Sequence, residues 1–344
     1  MEAPTHVLCI RLSALGDVAM TIPVFRALAA TYPKLSITVV SKKFFAPLID
    51  EIPGASFLAA DVKGAHKGVR GLITLASEAK SLQIDAVADL HNVLRSKVVS
   101  GTLQLQGIRV SRIEKGRAEK RAMLEANGKP IKPLTSMHQR YAEVFGNLGL
   151  PVDLNEVKLP KPKALTPELH ELIGIHTKKC IGIAPFAAHR GKMYPEAQME
   201  AVIATLSERD QYQLFLFGGG AAEEKKLKAW AERYSNTTNM AGRLLFSEEL
   251  KLISNLDLMV SMDSGNGHLA ALYGVPVLTL WGVTHPYLGF RPFGQPNAHQ
   301  LVSNRKKYPR IPTSVYGNKV PRGYENVMES IAVELVVQKI AELA

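Results

Sequence analysis

The feature that most constrains this chain is an alternation. Short apolar runs of strand length are each followed, within a few residues, by a stretch with helical apolar spacing. HVLCIRL at 6–12 is the first strand, and SALGDVAMTIPVFRALAATYP at 13–33 reads as one helical stretch after it. ITVVSKK at 37–43 is a second strand, FFAPLIDEIPG at 44–54 a short helix ended by Pro-Gly, and ASFLAAD at 55–61 and IDAVADLHN at 84–92 are further strands. After a Pro- and charge-rich stretch at 150–166 (LPVDLNEVKLPKPKALT), the rhythm restarts with KKCIGIAPF, a helix at 194–209, QLFLFGGG, a helix at 221–234, a helix at 247–257, LMVSMD, GNGHLAALYG and VPVLTLWG. Such alternation predicts parallel sheets with crossover helices. The expectation is therefore an α/β protein of two doubly wound Rossmann-like domains facing across a cleft, at 1–155 and 167–325. The amphipathic tail at 326–344 is expected to pack back toward the first domain. Ligands bind such sheets beyond the carboxyl ends of the strands, so residues just after strands are the ones to weigh.

Length supports the division, because 344 residues exceed what one core serves. Apolar residues at 46% and charged residues at 21% exclude wholesale disorder. Cys9 and Cys180 both sit in strand-like apolar runs, where a thiol behaves as a small buried hydrophobe and a reducing cytoplasm suits it. No apolar run reaches the length of a bilayer span, and the first residues lack the pattern of a secretory signal. The formal net charge is +11, and the stretch from Arg95 to Arg140 holds eleven Lys or Arg against three Glu. That concentration points to an anionic partner such as a phosphorylated lipid, a membrane surface or nucleic acid, or else to a solvated basic face.

Three segments after strands carry the candidate chemistry. Gly16 and Asp17 lie at a helix start in RLSALGDVAM, where a carboxylate either serves the helix dipole or accepts a proton from an incoming hydroxyl; spacing alone favours the first. A single glycine there leaves GxGxxG absent and a dinucleotide cofactor unsupported. In VSMDSGNGHLAALYG, residues Asp263, Ser264, Gly265, Gly267 and His268 can form a nest for a diphosphate or an ordinary capped helix start. In APFAAHRGKMYP, the cations His189, Arg190 and Lys192 suit a leaving group that gains negative charge, and Gly219 in the following glycine run permits close approach of a nucleotide. No Asp-x-Asp pair, Walker loop or zinc spacing occurs, so charge neutralisation is expected from side chains and helix dipoles, with no metal.

Together, RLSALGDVAMTIPVFRAL, the Lys192 loop and MDSGNGHLAALYGVPVLTLWG resemble the heptosyltransferase family of lipopolysaccharide core assembly. The resemblance runs in order along nearly the whole chain. It implies a GT-B fold, an ADP-heptose donor, inversion at the anomeric carbon and no metal, hence no cofactor beyond the nucleotide-sugar substrate. It also implies an acceptor of the lipid A–Kdo type, peripheral contact with the cytoplasmic face of the inner membrane, and no nucleic acid. The first domain then takes the acceptor and the second the nucleotide sugar. Asp17 matches the general base. Lys192, Asp263, Ser264, Gly265, Gly267, His268, Ala187, Ala188 and Gly219 fall on the donor side, and Gly16, Asn92, Arg95, Ser96, Lys97, Arg117 and Arg121 on the acceptor side. DLHNVLRSK at 89–97 is similar to the family's D-x-Q-x-x-x-[KR]-S element. Ala187 and Ala188 stand where family members often carry hydroxyls, the turn after Gly220 offers alanines where an acid often contacts the nucleoside, and THPYLGFRPFG is longer and more aromatic than the usual YGPT-x-P. The rival readings are a GT-B nucleotide-sugar epimerase and a non-enzymatic module for anionic lipid or nucleic acid.

Overall fold

The structure, a computed structural model, describes residues 3–173 and 178–344; residues 1–2 and 174–177, the latter within the second expected domain, lie outside it. The chain divides into two compact units, one of Met1–Lys115 with Thr135–Lys158, the other of Gly116–Leu134 with Leu159–Ala344. Each holds one sheet whose ladders are all parallel.

In the first unit the strand order is β3-β2-β1-β4-β5, with β1 His6–Ile10, β2 Ser36–Ser41, β3 Ala55–Ala59, β4 Ala86–Asp89 and β5 Arg109–Arg112. Central β1 pairs Ile10 with Val40 on one side and with Asp89 on the other, so the chain leaves β1 and β4 side by side. Leu8, Ile10, Val40 and Val87 form a core with Leu72 and Leu75 of the helix Gly68–Ser81 and with Val99 and Leu103 of the helix Leu94–Leu105. The single helix expected after β1 is two, Leu15–Ala19 and Ile22–Thr31. The Thr21 hydroxyl donates to the Val18 carbonyl at 2.7 Å, and Pro23 enters the first turn of the second helix, where its missing N–H costs nothing. That break confines Asp17 to a short helix directly against β1.

The second unit has the order β11-β10-β9-β6-β7-β8, from β6 Lys179–Ala184, β7 Tyr212–Leu216, β8 Thr237–Asn239, β9 Leu258–Met262, β10 Val277–Trp281 and β11 Gln300–Val302. Every residue of β9 and β10 is buried, which explains their unbroken apolar runs. Cys9 and Cys180 are free and buried. Among the described residues no helix is long and apolar enough to cross a membrane.

Two segments depart from the expected boundaries. Residues 116–134, counted with the first domain on sequence, belong to the second unit. Leu134 N–H donates to the Tyr287 carbonyl at 2.9 Å, Arg305 Nη2 donates to the Lys129 carbonyl at 3.1 Å, and the buried Lys120 ammonium lies 4.3 Å from the Phe290 ring centre. The aromatic loop after β10 thus holds a strap of chain that then returns to the first unit in the helix Met137–Gly146. The C-terminal helix Val333–Leu343 does not follow its expected course either. Its buried face, Val336, Val337 and Ile340, joins the second unit's own core with Ile203 and Leu206 of the helix Glu196–Ser207.

The turn after β10 is packed backbone to backbone: a Cβ on Gly282 would overlap the carbonyl of Gly191 and come within 2.8 Å of Met328 Sδ. Gly282→Ala is expected to destabilise the protein by about 1–3 kcal/mol, the usual cost of overpacking, read as a lowered denaturation midpoint with an unchanged m-value. A midpoint equal to wild type would mean that the turn is loosely packed.

Candidate active site

In the first unit, Arg11 is the residue immediately after β1, and its side chain is only 6% exposed. Its Nη1 donates to the Leu90 carbonyl at 2.9 Å, and its guanidinium lies 5.9 Å from the Tyr141 ring centre. Held by both, its Nη2 pairs with Asp17 Oδ2 at 2.5 Å. Asp17 Oδ2 also accepts the Ala14 N–H at 3.3 Å, the return arm of a helix-start cap, and the Asp17 side chain remains 30% exposed. The carboxylate therefore has the structural role that spacing favours, yet keeps a face open to a ligand.

The turn after β4 brings a histidine to the same place. Asp89 is fully buried; its Oδ1 accepts the N–H of His91 at 3.1 Å and of Asn92 at 2.7 Å, and this turns Asn92 into the left-handed region at φ +43°. His91 Nδ1 accepts the Leu12 N–H at 3.4 Å, which leaves Nε2 as the N–H end of a neutral ring. Burial, reinforced by the cations Arg11 and Lys115, pushes the His91 pKa down to about 3, with Asp17 opposing. The imidazole is thus neutral at ordinary pH.

The acceptor-side residues read from sequence fall on both units. Asn92 Nδ2 donates to the Ile113 carbonyl at 2.8 Å. Ser96 is fully buried, accepting from the Val93 N–H and donating to the Val93 carbonyl, both at 3.0 Å, so it starts the helix Leu94–Leu105 and presents no hydroxyl to a ligand. Arg95 and Lys97 are exposed on that helix, and Gly16 is half-buried beside Asp17. Arg117 and Arg121 are exposed on the helix Arg117–Leu124, which belongs to the second unit.

In the second unit the chain leaving β6 passes Ala187 and the exposed Ala188 and His189 into a single turn, Arg190–Lys192. Gly191 is buried there because a Cβ would come within 2.6 Å of both the Gly317 carbonyl and Val283. Gly317 in turn, at φ +76°, gives its space to the Lys192 stem: a Cβ on it would lie 2.5 Å from Lys192 Cγ. So guided, Lys192 Nζ reaches Asp263 Oδ2 at 2.8 Å and the Asp263 carbonyl at 3.2 Å, with side chains 16% and 7% exposed. Asp263 directly follows β9 and Ser264 precedes the helix Gly265–Ala271. The Ser264 hydroxyl makes no cap bond and lies 3.1 Å from that of Ser261. Gly267 is buried, and a Cβ on it would press at 3.2 Å on Ser261 and Val277, so it serves helix-to-sheet packing. His268 is buried one turn in. Gly219 is exposed and donates its N–H to Glu223 Oε2 at 2.9 Å, which ties that carboxylate to the start of the helix Ala221–Arg233.

Among the described residues no three His, Cys, Asp or Glu side chains converge to hold a metal ion. Sequence reading missed Arg11, His91 and Lys115. All three follow strands, and two lie inside segments already singled out, so strand order was the absent ingredient: β4 adjoins β1 only through the crossover.

The geometry has relatives. The profile of glycosyltransferase family 9 (heptosyltransferase) matches residues 73–319. The lipopolysaccharide core heptosyltransferase OpsX of Haemophilus influenzae is 26% identical over 99% of this chain and 98% of its own length. Lipopolysaccharide heptosyltransferase 3 of Escherichia coli K12 is 24% identical over 86% of this chain and 92% of its own. Among solved structures, a family 9 glycosyltransferase from Veillonella parvula superposes with a TM-score of 0.75 at 19% identity, over 100% of this chain and 98% of that one. The likeness in fold agrees with the GT-B class expected for two parallel α/β units. The chain belongs to glycosyltransferase family 9, the heptosyltransferases.

Proposed function

We propose that the protein transfers a heptose from ADP-heptose to the inner core of lipopolysaccharide, an anionic glycolipid of lipid A–Kdo type, with inversion and without a metal, at the cytoplasmic face of the inner membrane. The observation that carries this reading is the Lys192 ammonium, sunk to 16% exposure and oriented by both the carboxylate and the carbonyl of Asp263. A fixed cation at the end of a parallel strand suits a diphosphate leaving group better than a mobile surface lysine would.

In the proposed step the acceptor hydroxyl oxygen attacks the anomeric carbon, the bond from that carbon to the diphosphate oxygen breaks, and the hydroxyl proton passes to Asp17. Lys192 meets the charge that grows on the diphosphate. Arg11 holds the Asp17 carboxylate at 2.5 Å. His91, which takes a proton only near pH 3, is a hydrogen-bond donor through Nε2 rather than a base.

Asp17→Asn keeps the shape and removes the proton acceptor; turnover is expected to fall by about a hundredfold or more, with ADP-heptose binding little changed. Lys192→Ala is expected to weaken both donor and ADP binding as well as turnover. Melting temperatures of both variants are needed beside the kinetics, since each change breaks a partly buried ion pair. Wild-type turnover in Asp17→Asn would remove this carboxylate as the base, and sugar conversion without any acceptor would favour an epimerase.

Transfer is further expected to survive EDTA with little loss. Magnesium-dependent recovery of an EDTA-inhibited enzyme would overturn the metal-free step.

His91 also sets a sign for acid stability. Unfolded, its ring protonates near the ordinary value of 6.5; folded, only near 3. Between those values the unfolded chain carries the extra proton, so stability falls as pH drops through that window, by at most about 1.4 kcal/mol per pH unit. His91→Gln should flatten this acid limb of the melting profile, and an unchanged limb would mean that the ring is protonated in the folded protein.

A further inference from the structure

From Ser264 to Tyr324 the chain runs 61 residues without an Asp or Glu while carrying seven Lys or Arg, five of them between Arg305 and Lys319. The fold gathers part of this tract on one surface of the second unit. Tyr308 and Tyr324 pack on each other with ring centres 5.4 Å apart, and the Tyr324 hydroxyl accepts the Arg310 N–H at 3.2 Å. Lys307 lies over the Tyr308 ring at 5.3 Å and Arg310 over the Tyr324 ring at 5.8 Å. The strap adds to the same surface: Arg305 holds the Lys129 carbonyl, and a Cβ on Gly128 would lie 3.3 Å from Pro309. Lys129, Lys306, Lys307 and Arg310 are all exposed, and among the described residues none of the four pairs with a carboxylate.

Exposed like charges within a screening length of about 8 Å repel one another, and among the described residues no ion pair to a carboxylate offsets these four. We propose that this surface docks on the anionic phospholipid bilayer. Cations standing on tyrosine rings suit the boundary between headgroups and water, where aromatic rings and Lys or Arg are both favoured. A nucleic-acid reading is weaker because a cation already lies over each of the Tyr308 and Tyr324 rings and the two rings lean on each other, which leaves less open platform for bases. The inference deepens the proposed role at a membrane face and rests on it for its occasion; it is tested by vesicle binding, whereas that role is tested by sugar transfer.

The experiment is co-sedimentation of the full chain with vesicles of phosphatidylcholine alone and of phosphatidylcholine with phosphatidylglycerol, at low and high salt. Wild type should bind only the anionic vesicles and release in salt. Each cation near an anionic surface is worth about fivefold in binding, so the combined Lys306→Glu, Lys307→Glu and Arg310→Glu variant should lose at least about a hundredfold. Its melting temperature, its ADP-heptose binding and its transfer to a delipidated, water-soluble acceptor should stay at wild-type values. Equal vesicle binding by wild type and variant, binding to phosphatidylcholine alone as strong as to the anionic vesicles, or tighter binding of a single-stranded oligonucleotide than of anionic vesicles would each overturn the proposal. So would loss of transfer to the soluble acceptor, which would assign these cations to acceptor recognition instead.

Discussion

Parallel pairing is the constraint from which the rest of this molecule follows. When all strands of a sheet run the same way, every chain segment leaving a strand emerges at one edge, and the crossover helices cover both faces. Arg11 and Asp17 after β1, His91 after β4, Lys192 after β6 and Asp263 after β9 are all segments of this kind. The sequence distances between some of them are large, yet the sheet sets their strands side by side: Ile10 pairs with Asp89, and Ala184 with Ser261.

Each unit then pairs its candidate functional charge with an opposite one. Removing a single partner of a buried pair leaves an uncompensated ion and typically costs about 3–5 kcal/mol. Arg11 with Asp17 and Lys192 with Asp263 each couple one of the functional charges to the integrity of its unit. The pairs differ in which member faces outward. In the first, the arginine is the covered partner and the carboxylate the accessible one, as the proposed base role would need; in the second the carboxylate is the more covered and the ammonium the less, as the proposed anion contact would need.

Much of the fold was legible in the sequence because strands buried on both faces carry unbroken apolar runs, and β1, β2, β6, β7, β9 and β10 were readable for that reason. Less legible were β5, β8 and β11, of three or four residues each, the first of them written Arg-Val-Ser-Arg with charges at both ends. The break at Thr21 escaped notice because apolar spacing continues across it; a hydroxyl-to-carbonyl bond and Pro23 at the next helix start mark it. The basic stretch 95–140 is shared between the units, because the chain crosses between them at Lys115 and again at Leu134: Arg95 and Lys97 sit on one unit and Arg117 and Arg121 on the other. Of the candidate site, the positions of Asp17, Lys192 and Asp263 after strands were legible. Ser96 was misread because a serine three residues into a segment looks alike whether it closes a turn on itself or faces a ligand.

The loops around Lys192 explain why that lysine can be fixed at all. A lysine has a flexible stem and loses about 2 kcal/mol of rotamer freedom when held, so geometry must come from the walls. Here the walls are backbone: Gly191, Gly282 and Gly317 approach so closely that a methyl group on any of them would strike a neighbour. Gly317 belongs to the acid-free tract and Gly282 to the turn after β10, so the position of one ammonium depends on three segments far apart in sequence. Ala187 and Ala188, with no hydroxyl to offer, make that dependence greater, because the loop leading to Lys192 contributes no side-chain polar contact of its own before His189. In the proposed reading the cation, oriented by Asp263, therefore meets a diphosphate without help from hydroxyls in its own loop.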